Sequence, residues 1–388
     1  MVPAPPLRGG FNGSLDGLRG LAALNVVFAH YILAFFPFLL KGQYHDLFIT
    51  RTFKGPWVDL LTFPLVSVFY NGHFAVMVFF VLSGYVMALP AYRGDRLTLK
   101  RRILGRYLRL NGPVLVVVLL SYFLSLKGLY FNQLAGVLSG SRWLTGFFRE
   151  IQEPFDALRS ALYGSIISGD VRFVPPLWTI RIELLGSLGV LFCYLAPSIR
   201  SRCFIVLLGA ILLWVFQCDQ AIFFFTLLAG SFLPLIPSIK RRWPLYFLAG
   251  LGLFLGGYST NFFCYQILPE PVLLGVQLSD KKTFYNGLAA ISLVLSVIQG
   301  FGSVFLQSPL CRYLGRWSYA LYLIHFLVLA SWASWLYGFL EHEPFQDPLT
   351  LIGYLVASFC LSAILTRLVD QPTVRWSHAF SKWLLPRP

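Results

Sequence analysis

Arg19 and His30 stand eleven residues apart in an otherwise apolar run. At about 100° per residue, eleven helical residues return to within roughly 20° of the starting direction, so both side chains project from one face. At about 1.5 Å per residue, His30 lies roughly 16 Å farther along the axis. A guanidinium is a permanent cation. An imidazole, with an ordinary pKa of about 6.5, takes up and returns a proton at neutral pH. The shared face argues for one joint site. Taken singly, Arg19 also fits a side chain snorkelling to lipid headgroups, and His30 fits a helix–helix hydrogen bond.

Three more groups share this character. Arg106 and Arg109, three apart at the head of an apolar run, put two guanidinium forks on one face. Planar forks suit phosphate, and a positive anchor at a membrane surface is the competing use. Arg181 and Glu183 follow Pro175-Pro176-Leu177-Trp178-Thr179-Ile180. They suit either a site or a structural ion pair. Ser318, Tyr322 and His325 are spaced by four and three, which makes one polar face that suits helix packing or a site. Ser83 and Tyr85 read as packing residues. The chain has no phosphate-binding glycine loop, no metal-spaced histidine pair and no Gly-x-Ser-x-Gly elbow, so no metal is expected.

The elements that must carry these residues are membrane helices. Of the 388 residues, 57% are hydrophobic and only 12% charged, against roughly a quarter charged in soluble domains. The mean hydropathy is +0.69. With about 20 residues needed to cross the hydrocarbon core, ten apolar runs stand out, near 17–39, 66–89, 106–126, 178–196, 203–217, 220–236, 244–260, 284–305, 317–339 and 349–369. The expected fold is an all-α integral membrane protein with about ten transmembrane helices. It forms one domain over 1–388, with a disordered tail over 1–14. The net charge of +15 does not point to nucleic acid, because the basic residues gather in every second connection. Examples are Arg93 to Arg102, Lys240 to Arg242, and Arg312 with Arg316. The alternate connections carry Asp219 or Glu341, Glu343 and Asp347. By the positive-inside rule both termini face the cytoplasm. The long connection 127–177 then faces the lumen or exterior. The six cysteines form no ligand-like cluster and read as small buried hydrophobes. No cleavable signal peptide is expected, because the first apolar run is too long.

At these residues the chain resembles the acyltransferase 3 family of membrane O-acyltransferases, most of all its stand-alone fungal members. The similarity runs from Leu15 to about Trp376. Leu15-Asp16-Gly17-Leu18-Arg19-Gly20 followed by His30 is similar to the family's first-helix signature. Phe79-Phe80-Val81-Leu82-Ser83-Gly84-Tyr85 resembles its second, and Arg106 with Arg109 its paired arginines. Leu177-Trp178-Thr179-Ile180 with Glu183, and Ser318-Tyr319 with His325, resemble two later elements. Two departures stand out: Leu184 replaces a second glutamate, and Asp370-Gln371-Pro372 replaces a Glu-x-Pro element.

The resemblance implies transfer of an acyl group, usually acetyl, from cytosolic acyl-CoA to a hydroxyl of a small molecule or glycan. It implies no permanently bound cofactor, with acetyl-CoA as co-substrate. Arg106, Arg109 and Arg19 are then expected on the CoA phosphates and His30 as general base. Glu183 is expected to orient the imidazole or bind the acceptor, and His325 with Tyr322 to donate to the oxyanion. Intramembrane His, Glu and Arg also occur in proton-coupled transporters, the alternative reading, although no inverted repeat is evident. A non-catalytic receptor is the third.

Overall fold

The computed structural model describes residues 13–44, 54–215, 220–273, 276–277 and 279–386. Most of the tail expected over 1–14 lies outside the described residues, and helix begins at Gly13. The long helices are α1 (Gly13–Phe35), α2 (Gly72–Tyr92), α3 (Arg96–Leu126), α4 (Trp178–Leu195), α5 (Ile199–Val215), α6 (Ala221–Phe232), α7 (Trp243–Gly256), α8 (Lys281–Ile298), α9 (Pro309–Val328), α10 (Gln346–Leu365) and α11 (Gln371–Leu384). The described strands are β1 (Val272–Leu273) and β2 (Val276–Gln277), a short antiparallel pair with Val272 opposite Gln277.

Each of the ten apolar runs holds a helix. Among the described residues, six stretches are long and apolar enough to cross a membrane: Gly13–Phe35, Gly72–Tyr92, Arg96–Leu126, Pro175–Leu195, Pro309–Phe339 and Gln346–Leu384. Ala221–Leu235 and Trp243–Gly256 are apolar but shorter. The protein is an all-helical, multi-pass integral membrane protein.

Helix ends differ from the apolar runs where a cap extends them. α3 starts ten residues before position 106, because the Asp95 side chain accepts from the Thr98 amide at 2.9 Å and begins the helix inside the basic stretch. Arg106 and Arg109 therefore lie roughly 15 Å and 20 Å along the helix from its start, and not at its mouth. α9 starts at Pro309 behind the Ser308 cap and continues through a π-helical turn, Leu329–Ala333, to Phe339. α10 passes through a second π turn, Thr366–Asp370, into α11. Such turns occur often at functional sites.

α1 lies between α9 and α2. Its contact with α9 is backbone-close: a Cβ on Gly20 would stand 2.4 Å from the Gly315 nitrogen. α2 meets α6 in the same way, with a Cβ on Gly84 blocked by the Leu227 carbonyl. Small residues let helices approach where lipid offers no hydrophobic drive for association.

The connection 127–177 is folded. It holds helices Asn132–Ser139 and Pro154–Arg159 and a π-helical segment, Ser160–Ser168. Phe131 N–H donates to the Ala330 carbonyl at 2.9 Å. The Ser139 and Ser141 hydroxyls donate to the Ala34 and Leu33 carbonyls, each at 2.6 Å. Asn111 of α3 donates to the Ala161 and Leu162 carbonyls at 3.2 Å. The connection is thus fastened to the end of α1 that carries His30.

Candidate active site

Two tiers of polar side chains lie inside the bundle. The first is ionic. Arg106 of α3 pairs with Glu183 of α4 and donates to the Ser187 hydroxyl at 2.7 Å and to that of Ser83 at 3.4 Å. Ser83 of α2 in turn donates to Glu183 at 2.6 Å. Arg109 pairs with Asp370 at 2.5 Å, from the second π turn, and lies over the Tyr319 ring at 5.3 Å. Arg19 of α1 pairs with Asp16 at 3.5 Å. Four helices and a π turn thus meet around α3, and α1 adds a pair of its own. Each of the three guanidiniums faces one carboxylate, as buried ions require.

The second tier is neutral. His30 Nδ1 lies 2.7 Å from His325 Nε2, with the rings stacked 5.0 Å apart. His325 is fully buried, and its Nδ1 lies 2.9 Å from the Leu321 carbonyl. That contact sets the tautomers. A carbonyl only accepts, so His325 Nδ1 carries hydrogen and its Nε2 presents a lone pair. His30 Nδ1 must then donate, and its proton sits there. The lone pair of His30 Nε2 is therefore the basic position of the pair. The arrangement is base plus orienting group, the logic of nucleophile-activating triads, with an imidazole where those have a carboxylate. Trp143 stacks on His30 at 5.5 Å, and Phe326 meets it edge-on at 5.4 Å. The two rings flank His30 with apolar surface.

A domain model described as an acyltransferase domain, Acyl_transf_3, matches residues 12–367. The chain belongs to the acyltransferase 3 family. Among proteins similar to it are Acyltransferase R4 of Phoma sp. (strain ATCC 20986 / MF5453), 23% identical over 435 residues that cover 92% of this chain and 90% of that protein. Acyltransferase clz18 of Cochliobolus lunatus is 22% identical over 442 residues, covering 92% of this chain and 93% of that one. No solved structure matches the chain. The protein is an acyltransferase, as its family and these relatives are.

The sequence motifs of the acyltransferase 3 family converge in space, with changes of partner. His30 and His325 meet directly, so the His325 nitrogen expected to face an oxyanion faces His30 instead. Tyr322 does not face the pair through its hydroxyl, which shares a hydrogen with Thr179 at 2.7 Å and donates to the Pro176 carbonyl at 3.0 Å. Glu183, expected beside the imidazole or the acceptor, is held in the ionic tier by Arg106 and Ser83. Arg181 forms no pair with it, and its Nε is buried without a partner. Ser83, expected to pack, is a hydrogen-bonding member of that tier. Asp370, noted as a departure from the family pattern, is the counter-ion of Arg109. Trp143 carried no motif. Its signal was the length of the connection that holds it, since unstructured connections of that length are uncommon unless they serve a site.

Proposed function

We propose that the protein is an O-acetyltransferase that moves acetyl from cytosolic acetyl-CoA to a hydroxyl of a small molecule, with His30 as general base. The His30–His325 hydrogen bond carries this reading, because it leaves one basic nitrogen oriented and unspent. In the step, the acceptor hydroxyl gives its proton to His30 Nε2 as its oxygen bonds the acyl carbon. The thioester C–S bond then breaks, and the thiolate leaves as CoA thiol with that proton. His325 accepts from His30 Nδ1 throughout and supports the imidazolium. The CoA phosphates meet Arg19 and Arg109, whose side chains retain 34% and 30% of their exposure. Arg106, with 10%, shapes that site from within. The roughly 16 Å of α1 between Arg19 and His30 suits a pantetheine arm. The chain crosses the membrane about ten times with both termini cytoplasmic, which brings donor and arginines to one side. Family membership favours this reading over transport.

Detergent-purified full chain is to be tested with radiolabelled acetyl-CoA, first for binding and then for transfer to a panel of hydroxyl compounds. Wild type binds and transfers, His30→Ala binds without transferring, and Arg109→Ala binds more weakly. A wild type with no affinity for acetyl-CoA ends the reading.

A further inference from the structure

A second polar cluster, used by no step above, lies where the chain enters α2 and α8. Lys282, 9% exposed, holds its ammonium 3.1 Å from the centroid of the Tyr44 ring. Among the described residues its nitrogen has no hydrogen-bond acceptor and no ion pair. The Asp280 carboxylate, two residues earlier, caps α8 by accepting from the Thr283 amide at 2.9 Å. Lys281 is engaged elsewhere, with Glu270 at 3.0 Å. Asn286 stands four residues after Lys282, on the same face of α8. It is fully buried, and its Nδ2 has no partner among the described residues. Gln43, next to Tyr44 in sequence, is 5% exposed, and both its side-chain polar atoms lack a partner among the described residues. Thr283 shares a hydrogen with His73 at 3.0 Å.

The cluster adjoins the histidine pair. Tyr44 and Trp143 pack on one small group of side chains, Leu33, Leu40 and Tyr70, and Trp143 is the ring stacked on His30. Gly72, between Asn71 and His73, touches Ala29: a Cβ there would stand 2.9 Å from that of Ala29.

Buried polar groups are satisfied in folded proteins, and an ammonium that shares its helix face with an unspent amide donor suits an acceptor group of a bound molecule. Resting on the acyl-transfer reading, we propose that this cluster anchors the acceptor, and that the acceptor is a hydroxy acid whose carboxylate Lys282 holds while its hydroxyl reaches His30. A monoanion fits one cation with a neutral amide donor beside it, Asn286 Nδ2. A phosphate dianion would call for a second cation or an arginine fork, and none stands free among the described residues of the cluster. The ammonium–carboxylate contact is a charge-assisted hydrogen bond in a water-poor site, the strong kind.

The test pairs malate, 3-hydroxydecanoate and quinate with their methyl esters as acceptors, using detergent-purified full chain and radiolabelled acetyl-CoA. In wild type at least one acid is acetylated, with kcat/KM at least tenfold above that of its ester. Lys282→Met loses that preference through KM and binds acetyl-CoA as wild type does, and Lys282→Arg retains part of it. Esters taken as well as acids by wild type overturn the proposal, whatever the variants do. So does a Lys282→Met protein with wild-type kinetics, or a panel in which no acid is bound or acetylated by protein that binds acetyl-CoA. Failure to bind acetyl-CoA instead strikes the acyl-transfer reading itself.

Discussion

The ionic tier and the histidine pair solve opposite problems in the same bundle. In the ionic tier, Glu183, Asp370 and Asp16 hold Arg106, Arg109 and Arg19 in place. Its buried charges are tolerable only because they are paired, and pairing uses up their directional capacity. In the second tier no formal charge is present, and His325 is committed at both nitrogens, to Leu321 and to His30. That commitment leaves His30 Nε2 unspent. Rigid charges suit binding and positioning, whereas an unspent lone pair with a fixed direction suits proton transfer. Substitutions in the ionic tier should therefore act first on stability or donor affinity, and those in the histidine pair on turnover.

The largest expected effect breaks the second tier. His30→Ala lowers kcat by roughly 10³-fold or more, at the upper end of general-base contributions, with acetyl-CoA affinity unchanged. Binding and single-turnover transfer on one preparation read both. Glu183→Ala is next, and its effect is on the fold. It strands Arg106, with 10% of its side-chain surface exposed, at about 3–5 kcal/mol for an unpaired buried charge. A thermal melt in detergent shows it, and Glu183→Leu with Arg106→Met restores most of the loss. A Glu183→Ala protein as stable as wild type would dissolve the contrast between the tiers. His325→Ala costs kcat about 10²-fold by freeing the His30 ring. Since His325 acts through His30, the pH–rate profile moves too, and His325→Asn, which keeps an acceptor for His30 Nδ1, recovers part of the rate. Arg109→Ala, which leaves Asp370 without its partner, raises the KM for acetyl-CoA about tenfold and leaves kcat within a few fold, as the loss of a charge-assisted phosphate contact does.

Much of this contrast was legible before any coordinates. The 20-residue ruler located the helices because lipid permits little else. Helical periodicity put Arg19 and His30 on one face. The spacing of three found Arg106 with Arg109, and the late Ser-Tyr motif found His325. Partners were another matter. Spacing within one helix says which residues share a face, but not which face meets which neighbour. That depends on helix rotation, set by contacts such as Gly20 on Gly315. Hence His325 met His30, and Glu183 met Arg106 and not the imidazole. The Asp95 cap also displaced a level: by starting α3 early, it moved the two arginines from the mouth of the helix to its interior. For Trp143 the length of its connection was the one signal, and its place beside His30 depends on the serines that fasten that connection to Leu33 and Ala34.

That connection supports the smallest effect, and it sharpens the comparison from outside the long apolar helices. Asp170 and Arg172 are joined at 2.9 Å, and Arg172 also reaches Asp156 at 3.5 Å. Burial pushes the Asp170 carboxyl up, but hydrogen bonds from the Arg172 side chain and backbone outweigh it and hold the carboxyl below its ordinary value of 3.8. A carboxyl depressed in the folded state contributes stability that is present above the unfolded pKa and is lost as pH falls through the folded one. The stabilisation is therefore in full force at neutral pH and fades only below about pH 4. The pair is partly exposed and solvent screens it, so Asp170→Asn costs at most about 1 kcal/mol. Hydrogen exchange across residues 150–172 should quicken in that variant at pH 7, and the difference from wild type should shrink as the pH falls below about 4. The amides of α1 around His30 should stay protected in both, because Ser139 and Ser141 fasten that end independently. If exchange at His30 quickens together with the loop, the connection and the histidine pair form one cooperative unit, and the separation of effects argued above would have to include the loop.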